Sequence, residues 1–247
     1  MKKIIYICCC FILFACNSES VSDCFQTAGN IIQEEVTVSN FERILVNRDI
    51  ELIIKEGPQN VVIETGDNLI NDVTAEVIGN QLILTDNNSC NYVRDFGITK
   101  IYVTAPNLNE IRCSTQFEIK SEGILSFDNL DLVSEDFFDS NSFPIGDFRL
   151  ELDVEDLQIT SNNISFFYLS GNAENVNINF VGGNGRFEGE NLIAQNITIF
   201  HRGTNDMLVN PQQSLTGQIL STGNVISFTQ PPMVDVQEVF NGRLIFN

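Results

Sequence analysis

A chain of 247 residues with 33 acidic and 13 basic side chains carries a formal charge of −20. A phosphate backbone is held by clustered Lys and Arg, so this balance excludes nucleic acid as a partner, and it equally excludes a basic patch lying on anionic lipid. A hydrophobic content of 43% supplies a substantial core and excludes wholesale disorder. Twenty-nine asparagines and sixteen glycines against three methionines make the composition turn-rich and helix-poor.

The chain opens on the positive stretch Met1-Lys2-Lys3, followed by an uncharged apolar run from Ile4 to Ala15. Twelve residues rise only about 18 Å as a helix. A bilayer core is about 30 Å thick, so the run is too short to span it. A positive start, a short apolar stretch and a small residue describe a secretory signal peptide over residues 1–15. Leu13-Phe14-Ala15-Cys16 resembles a lipobox, with Cys16 the residue that would be lipidated after cleavage. An ordinary signal peptide with a coincidental cysteine is the alternative. One acyl chain anchors only marginally, and the three chains of a bacterial lipoprotein exceed that need. Removing residues 1–15 takes away two lysines and no acid, so the charge moves from −20 to −22. The remaining length suits one large all-β domain. Residues 16–38 are polar, with Glu19, Asp23, Glu34 and Glu35 and an Ala-Gly-Asn break at 28–30. They read as a tether that joins the fold partway along, leaving a domain over 39–247.

From Phe41 the pattern has period two. Arg43 to Val46, Ile50 to Ile54 and Val61 to Glu64 are predicted strands, separated by turn clusters at 47–49 and 56–60. Asp67 to Asp72 is predicted to hold one helical turn, and Val77 to Leu84 a hairpin around Gly79-Asn80.

The second half is repetitive. Apolar pairs two apart recur at Leu130/Leu132, Leu157/Ile159, Val176/Ile178, Ile197/Ile199 and near Ile219/Leu220. A second set runs Phe117/Ile119, Phe137/Phe138, Phe166/Tyr168, Phe187, Met207/Val209 and Ile226/Phe228. Most steps are about twenty residues, which is what a stacked parallel solenoid produces. The register blurs around 140–157, where the alternation from Phe148 to Val154 predicts an extra strand. Asparagines at equivalent turns are expected to stack as hydrogen-bonded ladders. A large antiparallel sandwich with regular turns is the competing architecture.

Asn175 to Phe187, with Gly182-Gly183-Asn184-Gly185, resembles one rung of the head GIN domain family. So does Asn191-Leu192-Ile193-Ala194-Gln195-Asn196-Ile197-Thr198-Ile199, and Ser214 through Pro232 is similar to that family's closing rung. Gly57, Glu64, Gly66 and Asn68-Leu69-Ile70 match its opening strands. The resemblance covers roughly residues 39–246. It implies an all-β fold, a single-stranded right-handed parallel β-helix with a β-rich N-terminal cap. It also implies a lipoprotein of Bacteroidota with an adhesin-like role and no catalytic or binding residues to carry over.

Little in the chain is equipped for catalysis. His201 is the only histidine, so every Ser-His-Asp or Cys-His scheme depends on it. It follows a predicted strand and is expected at a turn, in a surface or packing role. One histidine and scattered cysteines do not make a zinc site. Gly182 to Gly185 lacks the Gly-Lys-Ser/Thr of a phosphate loop and reads as a corner. Glu135, Asp136, Asp139, Glu151, Asp153, Glu155 and Asp156 are candidate carboxylates for calcium or lyase chemistry. The alternation of Arg149, Glu151 and Asp153 with Phe148, Leu150, Leu152 and Val154 reads instead as a solvated outer face.

Cys24 and Cys90 are expected to pair, since disulfides persist in an oxidising compartment and the bond would clip two loose segments together. Cys113 alternates with Ile111 and is expected to point inward. The expectation for function is a non-enzymatic outer-membrane lipoprotein without a cofactor, held to the membrane by its lipid and presenting a long face to a protein or glycan. A polysaccharide-active lyase or hydrolase, and a structural or signalling envelope component, are the alternatives.

Overall fold

The computed structural model describes residues 23–88, 90–137 and 141–247. Cys16, the whole of segment 1–15, Phe138 and Asp139 lie outside the described residues. Runs of alternating apolar and polar residues rich in Val, Ile, Leu and Phe each fold as a strand, because β-branched and aromatic side chains suit a pleated, half-buried surface. In the N-terminal half these are β1 (Ile31–Glu35), β2 (Arg43–Val46), β3 (Glu51–Glu56), β4 (Asn60–Gly66), β5 (Val73–Ile78), β6 (Gln81–Asp86), β7 (Lys100–Ala105), β8 (Glu110–Cys113) and β9 (Ile119–Leu125). In the C-terminal half they are β10 (Asn129–Ser134), β11 (Phe148–Ser161), β12 (Phe166–Phe180), β13 (Arg186–His201), β14 (Met207–Val209), β15 (Pro211–Ile219), β16 (Val225–Ser227), β17 (Met233–Glu238) and β18 (Leu244–Phe246). All eighteen belong to one curled sheet. Among the described residues the only helical turns are short 3-10 segments, Asp23–Phe25 and Ile70–Asp72.

The pairing is predominantly parallel and falls into two columns. The first runs through β6, β2, β8, β10, the second halves of β11, β12 and β13, then β15 and β17. The second runs through β7, β3, β9, the first halves of β11 to β13, then β14, β16 and β18. The competing antiparallel sandwich is therefore not the architecture. Antiparallel pairs occur only toward the N-terminal end, where β1 lies on β4, β4 on β7 and β5 on β6. The tether thus enters the sheet at Ile31, and Val36 and Val38 already pack against the core.

Register explains the repeat. Leu130, Leu157, Val176, Ile197 and Leu215 stand in line, as do Leu132, Ile159, Ile178 and Ile199. All of these are buried. The first expected set is correct up to its last member, which is Leu215 and not Ile219/Leu220. In the second set the inward line is Phe148, Phe167, Phe187, Met207 and Val225. Phe166 and Tyr168 face outward, because a shift of one residue moves a strand side chain to the opposite face. Phe137 is exposed on a loop and belongs to no column. Nor is there an extra strand at 148–154. That segment is the second-column half of β11, and the lengthened step comes from the loop before it. The loop folds back on the sheet: Pro144 O accepts from Ser134 Oγ at 3.1 Å, and Gly146 N–H donates to Thr115 O at 2.7 Å.

Rings stack inside the second column, Phe148 on Phe167 with centroids 4.9 Å apart and planes 7° apart. Each fully buried ring contributes about 1.5–3 kcal/mol by removal from water. Two glycines permit close backbone approach between rungs. Gly217 sits at φ +124°, and a Cβ there would lie 1.9 Å from Ile199 O; Gly171 at φ +103° stands in the same relation to Leu152 O.

His201 is the last residue of β13 and points inward, fully buried, in line with Phe180 before it and Ile219 after it. Its ring meets Phe180 edge-on at 6.2 Å. The turn expected from sequence starts one residue later. Burial lowers its pKa from the ordinary 6.5, opposed in smaller measure by the Asn205 backbone and the Asp206 carboxylate. The unfolded chain therefore binds the proton more readily than the folded one, and stability falls as pH drops through the ordinary histidine range. The melting temperature of the wild type should fall more between pH 7 and pH 5 than that of His201→Leu; equal falls would remove the buried imidazole from the account.

The Cys24 and Cys90 sulfurs lie at bonding distance, with Cα atoms 4.4 Å apart and 66 positions between them. Tyr92 N–H donates to Cys24 O at 3.0 Å beside them. Cys113 is buried, and burial pushes its thiol pKa up to about 11. Nonreducing peptide mapping should recover Cys24 and Cys90 in one linked species. Cys113 should resist alkylation until the protein is denatured. Reduction should cost about 4 kcal/mol on the loop-entropy scale, read as a lower denaturant midpoint.

Candidate ligand-binding face

With the inward positions filled, the chemistry of the chain lies on the outward positions of the two columns. On the second column, register brings Lys120, Arg149, Tyr168 and Glu188 into one row across four rungs. The Arg149 guanidinium lies 4.2 Å from the Tyr168 ring centroid, and its Nε donates to Glu118 Oε1 at 2.7 Å. Arg186 pairs with Glu188 and also donates to Asn205 Oδ1 at 3.2 Å. Arg149, Tyr168 and Glu188 border a shallow groove of about 430 Å³ that is also lined by Glu151, Ser170, Glu190 and Asn191, among others. Its groups are an amide, hydroxyls, carboxylates, one guanidinium and one aromatic ring. That set can exchange hydrogen bonds with a hydroxyl-rich ligand and offer it an apolar ring edge.

The first column bears a second groove of about 360 Å³, whose walls are mostly amides. Through it runs a ladder of side chains. Asn175 Nδ2 donates to Asp156 Oδ1 at 3.0 Å, Asn196 Nδ2 to Asn175 Oδ1 at 3.2 Å, and Ser214 Oγ to Asn196 Oδ1 at 2.8 Å. A parallel ladder joins the turns, where Asn224 Nδ2 donates to Asp206 Oδ1 at 3.1 Å and Asn224 Oδ1 accepts from Arg243 N–H at 3.0 Å. Here Asp131 has its pKa raised, first by burial and then by the neighbouring Glu110 carboxylate.

The candidate carboxylates do not converge. Glu135 is buried, paired with Arg112, and accepts from Phe137 N–H at 2.6 Å. Asp136 accepts from Asn162 at 2.7 Å, and Asp156 belongs to the amide ladder. Glu151, Asp153 and Glu155 are exposed, of which only Glu151 borders the second-column groove. Among the described residues no group of three His, Cys, Asp or Glu is placed to hold a metal ion. Gly182 to Gly185 forms a corner between β12 and β13, where Asn184 N–H donates to Asn163 O at 2.9 Å and Gly183 O accepts from Thr204 N–H at 3.1 Å. The residues that sequence reasoning missed are Arg149 and Tyr168, whose contact appears only once the step of nineteen residues is known.

No helix of the described residues is long and apolar enough to cross a membrane. No curated protein matches the chain. Solved structures do match its fold. A "putative adhesin" from Bacteroides fragilis superposes with a TM-score of 0.79 at 21% identity, over 90% of this chain and 99% of that one. One from Parabacteroides merdae gives 0.62 at 15% identity, over 90% and 98%. A "putative lipid binding protein" from Parabacteroides distasonis gives 0.60 at 14% identity, over 89% and 98%. At these identities the likeness is one of fold. Residues 40–231 match the family model described as "Putative auto-transporter adhesin, head GIN domain". With most of its length inside that match, the chain belongs to the head GIN domain family.

Proposed function

We propose that the chain is a non-enzymatic, lipid-anchored protein of the outer membrane whose outer strand faces bind a glycan or protein. In this reading residues 1–15 are removed as a signal peptide, Cys16 carries the lipid, and the two columns coil as a single-stranded right-handed parallel β-helix. The Cys24–Cys90 bond fastens the base of the coil next to the anchor. The observation that carries the binding role is the row Arg149, Tyr168 and Glu188 over a groove edged by Glu151, Glu190 and Asn191. Stacked rungs give such a row a fixed spacing at little entropic cost, which favours an extended, repeating ligand. Family membership supports adhesion, and the dispersed carboxylates support binding over catalysis. A uronate polymer incubated with the protein and calcium should accordingly yield no ultraviolet-absorbing unsaturated product.

Two measurements test the reading separately. Mass spectrometry of the mature N-terminus should find acyl chains on Cys16 and none in Cys16→Ser; an unmodified cysteine would sink the anchor. On a glycan array the wild type should bind a subset of polysaccharides. Tyr168→Ala combined with Glu188→Gln should weaken that binding about tenfold or more, in line with losing about 1.4 kcal/mol. Binding unchanged in the double variant would move the site off this face.

A further inference from the structure

The two ends of the columns are finished differently. At the N-terminal end antiparallel strands continue the sheet past both columns, β5 on β6, β4 on β7 and β1 on β4, and Leu69, Val73 and Ala75 are buried there. At the other end β17 pairs with β15 and β18 with β16, and among the described residues neither has a partner on its outer edge. The inward line of the first column, buried at every rung through Leu215, comes to the surface at Val234; that of the second, buried through Val225, ends at the half-buried Leu244. Met233, Val234, Val239, Phe240, Ile245 and Phe246 are each between 40 and 61% exposed.

This apolar end is ordered. Val239 N–H donates to Ile219 O at 2.9 Å and Gly242 N–H to Ser221 O at 2.8 Å. Arg243 caps Phe240 O at 2.7 Å, and Leu244 N–H donates to Glu238 Oε1 at 2.8 Å. The turn between β17 and β18 therefore presents Val239 and Phe240 in fixed positions. A solenoid end of this kind needs a cap, and an open strand edge is a template for another strand.

We propose that this tip is a homophilic docking surface that receives the same tip of a second copy about a two-fold axis. The axis would cross the end face from β17 to β18, so that each strand meets its own copy antiparallel. Centred on Val236, that pairing sets Val236 opposite its own copy, Asp235 opposite Gln237, Val234 opposite Glu238 and Met233 opposite Val239. No like charges face one another. In β18 the axis falls on Ile245. Six large side chains about half exposed, at roughly 150–200 Å² each, offer up to about 500 Å² per copy and about 1,000 Å² per pair. That is the area at which specific interfaces begin. Contact through the tips leaves the two N-terminal ends at opposite extremes. Taken with the anchored reading of the preceding subsection, on which this step rests, the pair would bridge two facing membranes.

Each copy carries a formal charge of −20, so the pair repels itself at long range while an apolar contact holds it. Its association should tighten with added salt, because screening weakens the repulsion and leaves the contact. Sedimentation equilibrium of the purified full chain in density-matched detergent should show a dimer that strengthens from 20 to 500 mM salt. Val239→Asp with Phe240→Asp should weaken it tenfold or more. Because that pair of changes could also disturb folding, Ile245→Cys gives an independent reading. It should form a disulfide-linked dimer on a nonreducing gel, while Ile78→Cys at the other end should not. A monomer at 100 µM in which Ile245→Cys stays reduced overturns the proposal, and so does a dimer that links through Ile78→Cys. The proposal's facing-membrane step is tested with vesicles carrying the wild-type chain, which should cluster, and the double variant should not. Failure to attach to vesicles at all would refute the anchor and leave the dimer result standing.

Discussion

The two columns depend on parallel backbone hydrogen bonding, in the C-terminal half between strands about twenty residues apart. Each rung must present the same number of residues to the rungs on either side, or the inward lines lose their alignment. The inward lines in turn set what can stand in them. Large apolar groups line up with their like from Phe148 to Phe187, and at His201 burial lowers the imidazole pKa. Where backbones approach most closely, at Gly171 and Gly217, no side chain is accepted at all. Within the columns each strand thus depends chiefly on the two strands beside it.

How much of this was legible in the sequence varied with distance along the chain. In the C-terminal half, partners are successive repeats, so the lines Leu130 to Ile197 could be read from spacing alone. The second set was read one residue out of phase at Phe166/Tyr168, because runs such as Phe166-Phe167-Tyr168 are apolar on both faces and give no alternation to fix the register. In the N-terminal half the order of strands in space departs from their order in sequence. The rung of β2 and β3 lies between that of β6 and β7 and that of β8 and β9. No local pattern reports such an arrangement, since it is decided by which layers of the core fit together.

The candidate face was less legible still. Outward residues are free of the packing constraint, so Arg149, Tyr168 and Glu188 look like any polar alternation until register places them in a row. Of the carboxylates that stand out in the sequence, Glu135 secures Arg112, Asp136 accepts from Asn162 and Asp156 begins the amide ladder. Asn175 and Asn196 continue that ladder for a chemical reason. An amide both donates and accepts, so one residue type can continue a ladder indefinitely, whereas a carboxylate can only begin or end it.

The bond between Cys24 and Cys90 has a mechanical consequence. Tension applied to residues ahead of Cys24 passes through the sulfurs to Cys90, only ten residues before β7. Strands β1 to β6 all lie inside the covalently closed loop and are bypassed by the force. The antiparallel end is therefore shielded from being peeled away one strand at a time. A pull that would unravel an unbridged chain from its first strand must instead begin its work on the rungs beyond.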